Sequence, residues 1–320
     1  MFAATAAVLV ATVIATGFVL KFLRRHAIVD RPNERSSHTG LTPRGGGIAV
    51  VAVLVVAWGL LAPAAHRGEL FTVVAALLLL AGVSWIDDLR SLSPGIRLVS
   101  QIAAILPALY WLSHNTSIFQ DTIPTPYDLI LAGVIWIWFI NLFNFMDGID
   151  GISGVEAASI GGGIALIATY NPDTGVDSLL AATVPAAAIG FLCWNWHPAK
   201  IFLGDVGSVP LGFLLGWLLL NLASGGAGAA AVILPLYYLA DATITLARRA
   251  LRGEKIWQAH REHFYQRAVQ NGRSHATVSL GVAFCNVILI TLAMLSITWP
   301  WFALAGAVVV VLALLIWLSK

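Results

Sequence analysis

Charged side chains are scarce in this chain of 320 residues. Asp, Glu, Lys and Arg together make up 11% of it, whereas 59% of the residues are hydrophobic. A soluble domain usually carries about 25% charged residues, so this chain has too few charges to cover a surface in contact with water. The composition excludes an ordinary soluble protein and predicts that most of the surface faces lipid.

Cysteine is almost absent as well. Cys193 and Cys285 are the two in the chain, and both fall inside apolar runs. This number and placement exclude a disulfide framework and a zinc cluster. The formal net charge of +2 gives no reason to expect a nucleic-acid partner.

Long apolar runs make up most of the sequence. A helix needs about 20 apolar residues to cross a bilayer, and the runs do not alternate polar and apolar residues as barrel strands do. Because lipid satisfies no backbone group, the runs must be helical. We therefore predict an all-α, polytopic membrane protein that forms a single domain over residues 1–320. Eleven spans are expected, at 2–22, 45–63, 70–86, 97–113, 127–143, 155–170, 178–194, 206–223, 228–247, 279–297 and 299–319.

The basic residues predict the orientation. If the N-terminus lies outside, 17 of the 18 Lys and Arg residues fall in cytosolic segments or at their span ends, and Arg67 alone is left outside. The excess of basic residues on the cytosolic side of membrane proteins selects this orientation and places the C-terminus inside. Nearly all unusual polar residues then lie on the cytosolic face.

The segment 141–154 is the most informative of these cytosolic segments. Its amide and carboxyl residues recur every three positions and would share one face of a helical turn; they are Asn141, Asn144, Asp147 and Asp150. The interspersed glycines allow the backbone to approach a ligand closely. Hard oxygen ligands and exposed amides suit Mg²⁺ and phosphate. The alternative is a capped turn between two helices.

Three further segments add charge to the same face. Asp87 and Asp88 end one span, which is also compatible with a solvated helix end. Asp205 lies between glycines ahead of another span, where it could simply cap the helix. The long basic loop carries His260, Arg261 and His263, which could bind a diphosphate or only contact anionic lipid. Together they predict a phosphorylated cytosolic substrate and a phosphorylated lipid.

These residues resemble the motifs of the polyprenyl-phosphate N-acetylhexosamine-1-phosphate transferase superfamily, of the glycosyltransferase 4 type. The resemblance extends over nearly the whole chain, with the motifs in the family's order. The motifs are Pro32-Asn33, the Pro43–Gly47 turn, Asp87-Asp88, Asn141 to Gly151, Asn195 to Ser208, Asp241 ahead of Arg248-Arg249, and a final histidine loop. The phrase around Asp147 looks most like the O-antigen-initiating branch.

The resemblance implies transfer of a sugar 1-phosphate from a UDP-sugar to undecaprenyl phosphate, with release of UMP, at the bacterial inner membrane. It implies that Asn144 and Asp205 hold Mg²⁺, or Mn²⁺ in its place. Asp87 and Asp88 would position or deprotonate the lipid phosphate, and Asp205 would complete the catalytic set. Substrate binding would fall to Asn141, Asp147, Asp150, Asn195, Phe202, His260, Arg261 and His263. Direct transfer and a covalent aspartyl-phosphate route both stay open, and a homodimer is one arrangement of the enzyme.

The last loop departs from the family pattern. Many relatives have His-x-His-His there, whereas this chain has His263-Phe264-Tyr265-Gln266. We therefore expect Tyr265→Phe and Gln266→Ala to cost little activity. The rival interpretation is a secondary transporter of a phosphorylated or anionic solute, but such transporters place ionisable groups near the midplane, whereas the acids here lie at span ends and in loops.

Overall fold

A computed structural model describes residues 1–30, 41–113, 117–120, 122–255 and 260–320 of the protein. The Pro32-Asn33 motif and the basic residues Arg31 and Arg35 lie outside the described residues.

The described chain is mainly helical, as predicted. Its helices are α1 Phe2–Arg25, α2 Gly47–Leu61, α3 Arg67–Arg90, α4 Pro94–Ser113, α5 Thr125–Phe145, α6 Ile152–Tyr170, α7 Ser178–Asn195, α8 Asp205–Leu222, α9 Gly228–Ile233, α10 Leu236–Leu251, α11 Phe264–Gln270, α12 His275–Leu295 and α13 Pro300–Ser319. Two short strands, β1 Val29–Asp30 and β2 Thr42–Pro43, pair in antiparallel fashion.

The helices agree with most of the predicted spans, but the count of eleven is not confirmed. Of the helices in the described ranges, nine are long and apolar enough to cross a membrane. Helix α2 has 15 residues and is shorter than a standard span. The predicted span 228–247 is divided between α9 and α10 at Pro235, because proline lacks a backbone N–H and clashes with the preceding helical turn.

Helix α8 lies at the centre of the bundle. It packs against α2, α3, α5 and α6, and nearly all of its apolar length is buried within the protein. Its first turn approaches α2 so closely that a Cβ atom added to Gly47 would lie 2.1 Å from the Cα of Gly207. Only glycine permits this contact, which fixes the start of α2 against the start of α8.

The loop between β2 and α2 is held against the loop before α8. Gly45 and Gly46 donate backbone hydrogen bonds to the Phe202 carbonyl, and Gly47 donates to the Leu203 carbonyl. The backbone of Phe202 in turn donates to the Pro43 carbonyl. These contacts bring a glycine-rich turn from the N-terminal part of the chain to the same end of the bundle as the C-terminus of α3 and the N-terminus of α8.

Candidate active site

Asp88 and Asp205 meet where the last turn of α3 reaches the first turn of α8. The two carboxylate oxygens of Asp88 accept the backbone N–H groups of Asp205 and Val206 at 3.1 and 3.0 Å. The Asp88 side chain is only 3% exposed, whereas that of Asp205 is 18% exposed. Asp88 therefore caps α8 from within the protein, and Asp205 is left partly open to a ligand.

Arg44 bridges these two carboxylates. Its Nε lies 2.9 Å from Asp88 Oδ1, and a terminal nitrogen lies 2.6 Å from Asp205 Oδ1. Burial opposes the charge of the guanidinium, but the carboxylates around it, Asp205 first, outweigh burial and raise the pKa of Arg44. The arginine thus stays charged and sets the spacing of the two acids.

Asn144 joins the same network from the last turn of α5. Its amide nitrogen donates to Asp205 Oδ1 at 3.1 Å and to the Ser208 hydroxyl at 2.8 Å. Both contacts orient the amide, so that its oxygen is the atom left to bind a ligand. The structure therefore brings the two predicted metal ligands, Asn144 and Asp205, into direct contact.

Asp87 faces a neighbouring small cavity between α3, α4, α5 and α8. Its carboxylate forms an ion pair with Arg97 at 2.8 Å and accepts the Leu92 N–H at 2.6 Å. The cavity has a volume of about 120 Å³, and its walls include Asp87, Arg97, Asn141, Asn144 and Asp205. Asn141 and Asp87 thus share a chamber with Asn144 and Asp205.

Asn141 is held in that chamber by a partner on α4. Its amide nitrogen donates to Gln101 Oε1 at 2.8 Å, and Gln101 donates back to the Asn141 oxygen at 3.3 Å. This reciprocal pair links α4 to α5 and fixes one side of the chamber.

Asp147 and Asp150 both lie in the turn between α5 and α6, but different groups surround their carboxyls. Burial raises the pKa of Asp147 to about 7, although a hydrogen bond from Ser153 and the charge of Arg44 act against this shift. The charges of Asp205 and Asp88 add to it. Asp147 therefore lies within electrostatic reach of the acid pair.

Asp150 instead interacts with two histidines. Burial alone would raise its pKa, but hydrogen bonds from His275 and His197 outweigh burial and lower it. His197 Nδ1 lies 2.6 Å from Asp150 Oδ2, and His275 Nδ1 lies 3.3 Å from the same oxygen. The Ala199 N–H also donates to this oxygen. The structure thus gives Asp150 a place in a hydrogen-bonded group that ties the turn to α7 and α12.

Asn195 and Phe202 flank this region. Asn195 is buried, and its amide oxygen accepts the Gly151 N–H while its nitrogen donates to the Ile201 carbonyl. Both ends of that amide are therefore used to hold two loops together. Phe202 is half-buried, and its backbone forms a parallel bridge with that of Arg44.

The last loop is organised by the buried residue Asp241 of α10. Its carboxylate accepts the backbone N–H groups of Phe264 and Tyr265 at 3.0 and 3.2 Å and lies 3.2 Å from His263 Nδ1. His263 is only 2% exposed and stacks on His260. Arg261 is exposed at the surface of the same loop. His263 is thus oriented by Asp241 and is largely enclosed by protein.

Tyr265 attaches this loop to the α5–α6 turn. Its hydroxyl donates to the Phe145 carbonyl at 3.0 Å, and a Cβ atom on Gly148 would lie 2.2 Å from the same hydroxyl. Tyr265 therefore contacts the residue that follows Asn144.

The donor set around Asp205 fits a divalent cation. Asp87, Asp88, Asp147 and Asp205 supply four carboxyl groups, whereas two guanidinium groups, those of Arg44 and Arg97, pair with them in the described residues. Carboxylate and amide oxygens are the ligands that Mg²⁺ prefers. An added divalent charge would balance the remaining excess of negative charge.

Arg44 and Arg97 were not among the site residues expected from the sequence, nor were His197 and His275. Arg44 lies inside the Pro43–Gly47 turn, and Arg97 follows the Asp87-Asp88 pair by about one turn of the next helix. A search for a counter-ion to that buried acid pair would have pointed to Arg97. No sequence signal joins His275 to Asp150, because their contact depends on how α12 packs against α6.

This arrangement defines a class of protein: a membrane-embedded enzyme whose acids, amides and basic groups converge on one polar site for phosphorylated substrates. The model of glycosyl transferase family 4 matches residues 70–223, which include the Asp88, Asn144 and Asp205 centre.

Curated relatives cover more of the chain. A probable undecaprenyl-phosphate N-acetylglucosaminyl 1-phosphate transferase of Bacillus subtilis is 26% identical over 283 residues, which is 83% of this chain and 76% of the relative. An undecaprenyl-phosphate alpha-N-acetylglucosaminyl 1-phosphate transferase of Escherichia coli K12 is 27% identical, covering 80% and 72%. A decaprenyl-phosphate N-acetylglucosaminephosphotransferase of Mycolicibacterium smegmatis is 28% identical, covering 85% and 75%. These matches support assignment of the chain to the polyprenyl-phosphate N-acetylhexosamine-1-phosphate transferase superfamily, and they support a sugar-phosphate transferase.

Proposed function

We propose that the protein transfers N-acetylglucosamine 1-phosphate from UDP-N-acetylglucosamine to undecaprenyl phosphate and releases UMP. The observation that carries this proposal is the contact of Asp205 with both Arg44 and Asn144 beside the buried carboxylate of Asp88. The activities named for the relatives support the polyprenyl acceptor and the sugar. The downstream product would be O-antigen, within lipopolysaccharide, or another cell-envelope polysaccharide.

In the reaction, an oxygen of the lipid phosphate attacks the phosphorus that carries the sugar. A new P–O bond forms, the bond to the bridging oxygen breaks, and that oxygen leaves with UMP. A phosphate monoester has its second pKa near about 6, so the lipid phosphate is already mostly dianionic at neutral pH. The reaction therefore needs positioning and charge stabilisation more than it needs a strong base.

The geometry favours a positioning role for Asp88. Both of its oxygens already accept backbone hydrogen bonds, and one also pairs with Arg44. A carboxylate so engaged is poorly placed to act as a nucleophile. We therefore favour direct transfer over an aspartyl-phosphate intermediate, with Asp88 fixing Arg44 and the start of α8, and with Asp87 and Arg97 orienting the incoming phosphate.

A divalent cation, Mg²⁺ first, would be held by Asn144 and Asp205. When bound, it would supply positive charge to the diphosphate as the bridging oxygen gains negative charge. Phe202 would stack on the uracil ring. Arg261 would contact the diphosphate from the exposed face of the last loop, with His263 and His260 behind it.

A transferase assay tests the proposal. Purified protein would be incubated with undecaprenyl phosphate, Mg²⁺ and, in turn, UDP-N-acetylglucosamine, UDP-N-acetylgalactosamine and their 6-deoxy relatives, and UMP release would be followed. We expect turnover with UDP-N-acetylglucosamine, loss of turnover with EDTA, and recovery on adding Mg²⁺ or Mn²⁺. Asp205→Asn should abolish turnover, whereas the exposed control Asp173→Asn should retain it. Turnover with another sugar alone would refute the choice of sugar.

The location forms part of the proposal: the bacterial inner membrane, with the N-terminus outside and the site on the cytosolic face. The uneven distribution of basic residues supports this orientation. Reporter fusions at Gly175 and Gly253 should give outside and inside signals respectively. The reverse pair of signals would place the acid centre on the outer face, where no UDP-sugar is supplied.

A further inference from the structure

Asp150, His197 and His275 form a second polar cluster, which contains neither of the proposed Mg²⁺ ligands. Asp150 lies in the α5–α6 turn, His197 lies in the loop between α7 and α8, and His275 is the first residue of α12. The Nδ1 atoms of the two histidines face one oxygen, Asp150 Oδ2, at 2.6 and 3.3 Å. The three ligand atoms all lie within 4.8 Å of one another. Three distant segments thus bring metal-binding atoms to one point.

Two of these side chains are held firmly by the fold, and the third is open to water. The side chains of Asp150 and His275 are 8% and 9% exposed. The Ser279 hydroxyl, one turn after His275 on α12, donates to the Asp150 carbonyl at 2.9 Å, and the Ala199 N–H donates to Asp150 Oδ2 at 3.2 Å. The His197 side chain, in contrast, is 38% exposed. A cation can therefore reach a preorganised pair of ligands from the His197 side.

Hydrogen bonds cannot satisfy every contact of His275. The backbone N–H of Asp150 points at His275 Nδ1, at 3.3 Å, and the same nitrogen faces the Asp150 carboxylate. A nitrogen of a neutral imidazole either donates or accepts. When the ring proton is on Nε2, Nδ1 accepts the N–H, and its lone pair then faces a carboxylate oxygen. A cation placed among these atoms replaces that repulsion by coordination.

The donor types select the class of metal. Mg²⁺ and Ca²⁺ prefer oxygen ligands alone, whereas imidazole nitrogen suits Zn²⁺ and its neighbours in the first transition row. Zn²⁺ bonds to such atoms at about 2.0–2.2 Å, which places tetrahedral ligands about 3.3 Å apart. His275 already lies at this spacing from Asp150, and the 2.6 Å contact that must lengthen belongs to the more exposed His197.

We propose that Asp150, His197 and His275 form a binding site for a divalent transition metal, Zn²⁺ first, with water in the fourth position. The metal would join the α5–α6 turn to the loop before α8 and to the start of α12. Because it would bind the folded chain, it would also stabilise it.

The test is Zn²⁺ binding to the full-length protein in lipid nanodiscs, after removal of any polyhistidine tag. Protein treated with EDTA would be titrated with Zn²⁺ against a chelating dye, in excess Mg²⁺ to occupy oxygen-ligand sites. We expect saturable binding of one Zn²⁺ per chain and a rise in the thermal midpoint. Absence of saturable Zn²⁺ binding would overturn the proposal.

Single substitutions place the metal in this cluster. His197→Gln changes a side chain that is partly exposed, so the variant should stay folded, and it should weaken Zn²⁺ binding at least about tenfold, since even changes behind a ligand cost that much. His275→Gln should have the same effect. His66→Gln is the matched control, because His66 also lies beside a carboxylate, that of Glu69, but belongs to no group of three ligands among the described residues. It should bind Zn²⁺ like the wild type, and wild-type affinity in either cluster variant would refute the assigned site.

A further variant separates this site from the proposed transfer reaction. Asp205→Asn lacks a proposed Mg²⁺ ligand but keeps the three residues of the cluster, so it should bind Zn²⁺ like the wild type whatever its turnover. Loss of Zn²⁺ binding in Asp205→Asn, with binding kept in His197→Gln, would place the metal at the acid centre and overturn the assignment. The outcome does not depend on whether the protein proves to be a transferase.

Discussion

Replacement of Asp88 by asparagine tests the central feature of the site. Asp88 accepts the N–H groups of Asp205 and Val206 with its two oxygens and pairs with Arg44, and its side chain is almost fully enclosed. Asparagine keeps one acceptor but turns an NH₂ group towards the other donor. The variant therefore loses one charge-assisted hydrogen bond at the N-terminus of α8 and the ion pair to Arg44.

The expected magnitude follows from these contacts. A hydrogen bond to a charged group contributes about 1.5–3 kcal/mol, and a negative charge at a helix N-terminus adds about 0.3–1 kcal/mol. Asp88→Asn should therefore lower the free energy of unfolding by roughly 2–4 kcal/mol, which combines these two contributions. Because Arg44 also loses one of its two partners, turnover should fall by ten- to a hundred-fold or more.

The comparison with Asp205→Asn sharpens the test. Asp205 is more exposed, and the side chains of Arg44 and Asn144 donate hydrogen bonds to its carboxylate. Asp205→Asn should abolish turnover but lower the thermal midpoint less than Asp88→Asn, because it leaves the backbone hydrogen bonds that cap α8 in place. The assays are UMP release and thermal unfolding in the same detergent, with Asp173→Asn as the exposed control. If Asp88→Asn unfolded at the wild-type temperature, the capping role assigned to Asp88 would be wrong.

Three further predictions concern other parts of the chain. Tyr265→Phe removes the hydrogen bond to the Phe145 carbonyl, so kcat/KM should fall about two- to tenfold. This is a larger loss than the sequence led us to expect, and unchanged initial rates would show that the contact does not contribute to activity. Asn286→Leu removes the hydrogen-bond donor of the buried Glu156 and should lower the thermal midpoint. The double variant Asn286→Leu, Glu156→Leu should regain much of the lost midpoint. An Asn286→Leu variant as stable as the wild type would contradict this prediction. Burial, followed by the charges of His263 and Arg249, lowers the pKa of His260 from 6.5 to about 4. The folded state therefore disfavours the protonated ring, and the stability of the protein should fall as the pH drops through 6.5 towards 4. His260→Gln should flatten that decline in thermal midpoint, and an identical pH profile in the variant would count against this assignment.

The sequence determined the class of the protein and much of its chemistry. A shortage of charge and long apolar runs allow only buried or lipid-facing helices, because unpaired backbone groups cannot be left in lipid. The spacing of Asn141, Asn144, Asp147 and Asp150 showed a polar turn at the end of an apolar helix. These are local properties of consecutive residues, so they can be predicted without knowledge of the packing.

Exact span boundaries were harder to predict. Hydropathy alone extended one span through Pro235, whereas the structure ends α9 before this residue and begins α10 after it. The apolar content of a segment indicates that it prefers lipid or the protein interior to water. It does not show where the helical hydrogen bonds are interrupted. The short helix α2 shows the same limit, since its first residue, Gly47, is fixed by a contact with α8.

The partners within the site were decided by the tertiary structure. Arg44 and Asp205 are 161 positions apart in the chain, yet their side chains meet at 2.6 Å. Their contact requires the glycine turn to lie against the Phe202 loop and α2 to approach α8 without a side chain between them. Such contacts between distant segments cannot be read from consecutive residues. They depend on helix packing, and the apolar surface of each helix can pack against many different neighbours. The residue types capable of the chemistry are therefore evident in the sequence, whereas the packing decides which of them touch.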